Sequence, residues 1–213
     1  MDFNDFSQRI SKIKNLPLPG TESHYKMAPL ERINTLQSIE LKRKNAKKAA
    51  VMALFYPNQS SSTNLLLILR KSYKGVHSNQ IGFPGGKVEK EDKDLLDTAL
   101  RETYEEVGVA PKKVQVIRSL TELYIPPSNF IVHPYVGLYP EVTPFKIQES
   151  EVEALVEVSL DEFMDDRTII YQKLTTSFAQ NIDVPAFKLN GYTVWGATAM
   201  MLSEVKELFK QVL

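Results

Sequence analysis

Cysteine is absent from the 213 residues, which excludes disulfides, thiolate metal sites and a cysteine nucleophile. Excess charge of either sign is missing too, with 26 Lys and Arg against 26 Asp and Glu. Zero net charge argues against coating nucleic acid or an anionic membrane by bulk electrostatics, so neither is an expected partner. Apolar runs such as residues 65–69 fall far short of the roughly 20 residues that a membrane helix needs. The first residues, Met1-Asp2-Phe3-Asn4-Asp5, have neither the basic start nor the apolar stretch of a secretory signal, and a cytoplasmic location is the expectation. Internal repeats and low-complexity tracts are also lacking. The rest, 43% hydrophobic and 24% charged residues, is an ordinary globular composition.

The spacing of Phe3, Phe6, Ile10 and Ile13 predicts a helix over 3–13, broken by Pro17 and Pro19-Gly20. Residues 21–40 read as a loop followed by a helix that runs into the basic segment 42–48. Apolar runs at 50–55 and 65–70, separated by Pro57-Asn58-Gln59-Ser60-Ser61-Ser62, predict a hairpin with an exposed tip. A helix is predicted over 95–107, stopped by Gly108 and Pro111. Val- and Ile-rich strands come next at 114–120, 131–139 and 154–159, with weaker candidates at 169–174 and 184–189. A helix over 195–210 closes the chain. Mixed strands with a few helices imply an α/β or α+β sandwich. The expected division is an N-terminal helical extension, residues 1–48, packed on a domain of residues 49–213.

The 95–107 helix concentrates the chemistry. At about 100° per residue, Leu96, Ala99, Leu100, Thr103 and Val107 gather on one stripe, and Glu102, Glu105 and Glu106 on another face. Crowded carboxylates repel, at a few tenths of a kcal/mol per adjacent pair. Such a group is either a solvated acidic face or the ligand set of a hard divalent cation, Mg²⁺ or Mn²⁺. Arg101, four residues before Glu105, is placed to orient that carboxylate. Context favours ligation, because Pro84-Gly85-Gly86 ahead of the helix permits a sharp turn and close backbone approach to a ligand.

Gly86, five residues, Asp92, a spacer, and then Arg101-Glu102-Thr103-Tyr104-Glu105-Glu106-Val107-Gly108-Val109 resemble the Nudix box, G-x5-E-x7-R-E-U-x-E-E-x-G-U. Asp92 stands where the box has Glu, the spacer 93–100 is one residue longer, and Thr103 fills a position that is usually aliphatic. Upstream, Leu66-Leu67-Ile68-Leu69-Arg70 and Phe83-Pro84-Gly85-Gly86 keep the spacing of the leader seen in the coenzyme A pyrophosphatase branch of that family. His77 and Gln80 match it as well; Lys71, Gly75 and Asn79 differ from it. Trp195-Gly196-Ala197-Thr198-Ala199 is similar to the branch's W-G-x-T-A helix start.

The resemblance implies a Nudix-like α/β/α sandwich with a mixed β-sheet and hydrolysis of a nucleoside diphosphate linked to another group, with Mg²⁺ or Mn²⁺ as cofactor. In that branch the substrate is coenzyme A or a derivative, cut to 3′,5′-ADP and (acyl-)phosphopantetheine. ADP-ribose, NADH or a related dinucleotide is the alternative substrate, and a non-catalytic ligand-binding module is the alternative role. Glu102, Glu105 and Glu106 are the implied metal ligands, and Glu102, Glu105 and Arg101 the implied catalytic residues. Arg70, Gly85, Gly86 and His77 are the implied substrate contacts. The general base is either a box glutamate or an outside carboxylate, for which Glu151 is the candidate; its other reading is a solvated loop acid beside Glu149 and Glu153. Lys71, Lys74 or the basic run 42–48 offer further phosphate contacts, although the run also reads as a solvated helix end. Phe130, Tyr124 and Tyr135 read as core or as purine-stacking aromatics, and Pro126-Pro127-Ser128 as a rigid loop bordering the site. The expected partner is a small-molecule nucleotide, and a homodimer is the assembly common among small family members.

Overall fold

A computed structural model describes residues 1–34, 43, 45–72, 79–142, 144–174 and 181–213. The helix expected to lead into residue 42 falls outside the described residues from 35 onward. The described part of that stretch forms two short helices, α2 (Thr21–Tyr25), where a loop is expected, and α3 (Leu30–Asn34), after α1 (Phe3–Ile10).

The strand β1 (Lys47–Pro57) organises everything else. Successive side chains of a strand point to opposite faces, and β1 is buried on both from Ala49 onward. Ala49, Val51, Ala53 and Phe55 belong to one apolar cluster, while Ala50, Met52, Leu54 and Tyr56 belong to a second. A strand buried on both faces needs a helical layer on each side.

β1 pairs antiparallel with β2 (Thr63–Arg70), which also pairs with the short β3 (Ile81–Gly82). Beyond it come β4 (Gly85–Lys87), α4 (Leu95–Val107), β5 (Gln115–Ser119), β6 (Leu123–Ile125), β7 (Phe130–Leu138) and β8 (Val152–Ser159). β4 pairs antiparallel with β1, β8 with β2, and both β5 and β6 with β7. β7 runs parallel to β1, so the sheet is mixed. The chain continues through α5 (Leu160–Met164), an antiparallel sheet of β9 (Ile169–Leu174), β10 (Ile182–Leu189) and β11 (Tyr192–Trp195), and α6 (Gly196–Phe209).

α4 covers one face of the main sheet through Ala99 and Val107. α6 covers the other through Ala199, Leu202, Val205, Leu208 and Phe209, and α1 joins it there with Phe3, Phe6 and Ile10. The Phe6 ring lies 5.2 Å from that of Phe55 and 5.5 Å from that of Phe209, so residues before 49 share the core of those after it. The layers are the α/β/α sandwich with a mixed sheet expected from the sequence. Several boundaries differ from expectation: β1 starts at Lys47, inside the extension expected to end at 48, and β8 and β10 each start two residues early. The first α-helix ends at Ile10 and continues as a 3-10 turn over Ser11–Asn15, where Arg118 Nη1 donates to the carbonyls of Ile13 and Leu16. Trp195 is extended and pairs with Ala186, so the last helix begins at Gly196. Among the described residues no helix is long and apolar enough to cross a membrane.

Candidate metal centre and adjoining cavity

α4 starts where Asp94 accepts from the Asp97 amide at 2.8 Å, and it stops at Gly108, whose φ of 77° is the left-handed conformation favoured for a helix end. The last carbonyls of a helix have no partner within it. Here the segment before β8 supplies them. The Lys146 amide donates to the Val107 carbonyl at 3.1 Å, and the Gln148 amide to that of Glu106 at 3.0 Å. A side chain at Gly108 would bring a Cβ within 3.0 Å of the Lys146 Cβ, so the glycine also makes room for this docking. Two more backbone bonds fix Glu151 in place: its amide donates to the Gln148 carbonyl at 3.0 Å, and its carbonyl accepts from the Lys71 amide at 2.8 Å.

That docking carries Glu151 to α4. Carboxylate oxygens of Glu102, Glu106 and Glu151 lie within 4.8 Å of one another. Glu106 is buried, with Oε2 accepting from the Gly85 amide at 2.8 Å and Oε1 from Arg70 Nη1 at 2.9 Å. Arg70 also donates through Nη2 to the Gly85 carbonyl at 2.6 Å. The backbone demands glycine at 85, and the seat of Glu102 demands it at 86. Gly85 has φ +145° and a Cβ there would lie 2.4 Å from the Ala50 carbonyl oxygen, while a Cβ at Gly86 would lie 2.4 Å from Glu102 Cδ. The turn thus brings backbone against the two helix glutamates.

Crowding and burial set the electrostatics. Burial pushes the Glu106 carboxyl up to about 7, against the opposing pull of Arg70 and the Gly85 amide, with Glu102 and Glu151 adding repulsion. Burial also raises Glu102, partly countered by Arg101 and reinforced by Glu105 and Glu151. Two oxygen donors, Glu102 and Glu106, whose charged forms are disfavoured by burial, with a third carboxylate within reach, fit a hard divalent cation.

Arg101 orders the exposed side. Its Nε and Nη2 donate to Asp92 at 2.8 and 3.0 Å, Nη2 to the Lys87 carbonyl at 2.9 Å, and Nη1 to Glu102 at 3.1 Å and Glu105 at 2.9 Å. Hydrogen bonds from Arg101 outweigh burial and hold the Asp92 carboxyl well below the usual carboxylate range; the Glu89 amide and Thr98 hydroxyl assist. Glu105 is half exposed on Arg101 and stands outside the group of three. His77, Lys74 and Gly75 lie outside the described residues. Lys71 pairs with Glu153 at 3.3 Å, and Arg43 with Glu122.

Beside Gly85 and Gly86 opens a cavity of about 520 Å³ whose lining includes Arg70 and Lys87 together with Phe83, Phe130, Val132, Trp195 and Met201. Its charged lining, Arg32, Arg70 and Lys87, is wholly cationic among the described residues. Pro127 borders it, as does Phe130, whereas Tyr124 donates its hydroxyl to Asn129 at 2.9 Å. Thr198 Oγ1 donates to the Ile81 carbonyl at 3.0 Å, which ties the start of α6 to β3 and sets Trp195 on the cavity wall. Sequence reasoning misses Pro29 and Arg32, which no motif marks, and leaves Asp92 without a role. The nine-residue separation of Asp92 from Arg101 across a turn is the one signal available.

An α/β/α sandwich with glutamates of one helix gathered against a Gly-Gly turn defines a protein with a carboxylate group beside a cavity. Similarity to known proteins gives the family: the NUDIX domain model matches residues 46–178, and the chain belongs to the Nudix hydrolase family. A relative from Pectobacterium atrosepticum, described as the uncharacterized Nudix hydrolase NudL, is 44% identical over 98 residues, 46% of this chain and 50% of that relative. This match therefore spans half the relative's length. The NudL of Enterobacter sp. is 33% identical over 166 residues, 76% of this chain and 82% of the relative. Among solved structures, the Nudix hydrolase RenU from M. Smegmatis shares the fold at a TM-score of 0.53 and 15% identity, covering 79% of this chain and 88% of that one.

Proposed function

We propose that this chain is a divalent-metal-dependent diphosphatase that cleaves coenzyme A or an acylated derivative to 3′,5′-ADP and (acyl-)phosphopantetheine. One observation carries the reading: the carboxylates of Glu102, Glu106 and Glu151 converge within 4.8 Å beside the Gly85-Gly86 turn, which lines the cavity. An all-oxygen set suits Mg²⁺ or Mn²⁺. Such an ion, when bound, neutralises charge on diphosphate oxygens and lowers the pKa of a coordinated water.

The chain's own residues do the rest. Glu102, Glu106 and Glu151 hold the cation, and Glu105 adds a carboxylate from the same helix. Arg101 orients Glu102 and Glu105 through Nη1. The proton of the attacking water passes to a carboxylate of this group, with Glu105 and Glu151 as the acceptors that face solvent. Arg70 lines the cavity while Nη1 and Nη2 hold Glu106 and the Gly85 carbonyl, so its contribution to a substrate phosphate is positive charge. Support for the coenzyme A branch comes from its leader and W-G-x-T-A residues, since Arg70, Phe83 and Trp195 all line the same cavity. Another nucleoside diphosphate, such as ADP-ribose or NADH, is the second reading; it shares the metal group and differs in what the cavity receives.

A substrate panel with mass detection of products tests this: coenzyme A, acyl-coenzyme A, ADP-ribose, NADH and dinucleoside polyphosphates, each with Mg²⁺, Mn²⁺ or chelator. The expected result is 3′,5′-ADP from the coenzyme A compounds alone, abolished by chelator. Undiminished turnover in chelator, or no cleavage of any coenzyme A compound, overturns the proposal.

A further inference from the structure

Residues 1–34 precede the stretch that matches the NUDIX domain, yet two of them line the cavity. Pro29 is buried at the start of α3, where its carbonyl accepts from the amides of Arg32 at 3.0 Å and Ile33 at 3.3 Å. Arg32 is only 6% exposed, and its Nη2 donates to the Tyr124 carbonyl at 2.8 Å. Tyr124 lies in β6, and the residues just after it, Ile125 and Pro127, form part of the cavity wall. Arg32 is thus a wall residue and also the tether of a neighbouring wall. Burial lowers its pKa to about 10, which leaves it cationic at neutral pH.

The size of the cavity says what kind of group it takes. At about 30 Å³ per water-sized group, 520 Å³ holds roughly 17 of them, more than a purine ring fills. Phe83, Phe130, Val132, Trp195 and Met201 make much of the surface apolar, and the cationic lining, Arg32, Arg70 and Lys87, repels cations and attracts phosphates.

We propose that the N-terminal segment is the specificity element of this cavity: Pro29 and Arg32 set the length of apolar arm that a diphosphate substrate seats there, Arg32 by positioning the β6 wall. The kinetic consequence rests on the diphosphatase reading; the binding consequence does not. An acylated pantetheine arm has the required chemistry, an extended apolar chain joined to a diphosphate.

Trp195 is the only tryptophan and lines the cavity, so its fluorescence reports occupancy directly. The experiment titrates acetyl-coenzyme A, octanoyl-coenzyme A and 3′,5′-ADP, in chelator so that no turnover occurs, into the full chain and its Arg32→Met, Arg32→Lys and Pro29→Leu variants. The wild type is expected to bind the octanoyl compound more tightly than the acetyl one. Arg32→Met and Pro29→Leu are expected to reduce that preference by about tenfold, the scale of a few methylene contacts, with partial rescue in Arg32→Lys. With Mg²⁺, the same variants raise KM for the octanoyl compound and leave kcat near the wild-type value. Chain-length preference unchanged in Pro29→Leu, or in an Arg32→Met protein that melts as the wild type does, overturns the inference. Should Arg32→Met fold poorly, Pro29→Leu alone decides, because no side-chain hydrogen bond is lost there. Chain-length-selective binding without hydrolysis of any diphosphate would sustain the inference and defeat the diphosphatase reading.

Discussion

Arg101 and Asp92 meet through two hydrogen bonds, Nε to Oδ1 at 2.8 Å and Nη2 to Oδ2 at 3.0 Å, which lash α4 to the turn before it. The guanidinium keeps Nη1 for Glu102 and Glu105, so the aim of both glutamates depends on Asp92. The Nudix box has the longer Glu at this position and a spacer one residue shorter. With Asp and the longer spacer the pairing still closes.

Asp92→Ala removes these bonds from the Arg101 guanidinium, which keeps Glu102 and Glu105, and is expected to cost about 1.5 to 3 kcal/mol of stability, the range for a hydrogen bond to a charged group. The folded carboxyl lies below its ordinary value, so its contribution is present in full above about pH 4 and fades as pH falls toward the folded value. Urea unfolding at pH 7 and pH 3 checks both points. A variant as stable as the wild type at pH 7 would contradict them.

Gly86→Ala puts a Cβ 2.4 Å from Glu102 Cδ. Only the end of a side chain has to give way, so the fold should survive while Glu102 leaves its position. Metal affinity is expected to fall about 10- to 100-fold, the range seen when a ligand's support is removed, with circular dichroism unchanged. Calorimetric titration with Mn²⁺ measures it.

Cation binding should be steeply pH-dependent near neutrality. Glu106 is pushed up to about 7 by burial and must lose its proton to act as a ligand. Apparent affinity for Mn²⁺ therefore rises with pH through that value, with proton release on binding below it. Titration in buffers of different ionisation enthalpy detects those protons, and a flat profile between pH 6 and 8 would count against Glu106 as a ligand.

Far from this site, His24 Nε2 and Glu204 Oε2 lie 3.1 Å apart with both side chains fully buried, joining α2 to α6. Burial pushes the Glu204 carboxyl up, but bonds from His24 and Thr121 outweigh it and hold the group below its ordinary value. Its stabilisation is thus present above about pH 4.3 and lost as pH falls. Glu204→Ala is expected to cost about 2 to 3 kcal/mol at pH 7, because the buried His24 ring and the Thr121 hydroxyl lose their partner, and Glu204→Gln less. Thermal melts across pH 3–7 read the difference.

Legibility in the sequence depends on whether the signal is local. The α4 register, its Gly108 stop, the Pro84-Gly85-Gly86 turn and the β1–β2 hairpin all come from short-range pattern. Glu151 does not, because Glu149, Glu151 and Glu153 look alike in sequence. Only the docking of Lys146 and Gln148 on the last carbonyls of α4 selects one of them. Asp92 is visible as a motif position, but its two bonds to Arg101 require the turn between them. Pro29 and Arg32 reach the cavity through tertiary packing of a segment that carries no motif.

Glu151 offers the most direct test of the central claim, that carboxylates of α4 and the β8 approach form one metal centre. Mn²⁺ binding and coenzyme A hydrolysis are measured side by side in Glu151→Gln and in its sequence neighbour Glu149→Gln. A shared centre predicts at least about a tenfold loss of Mn²⁺ affinity in Glu151→Gln, with a matching fall in turnover, and wild-type behaviour in Glu149→Gln. Equal Mn²⁺ affinity in the two variants would contradict it.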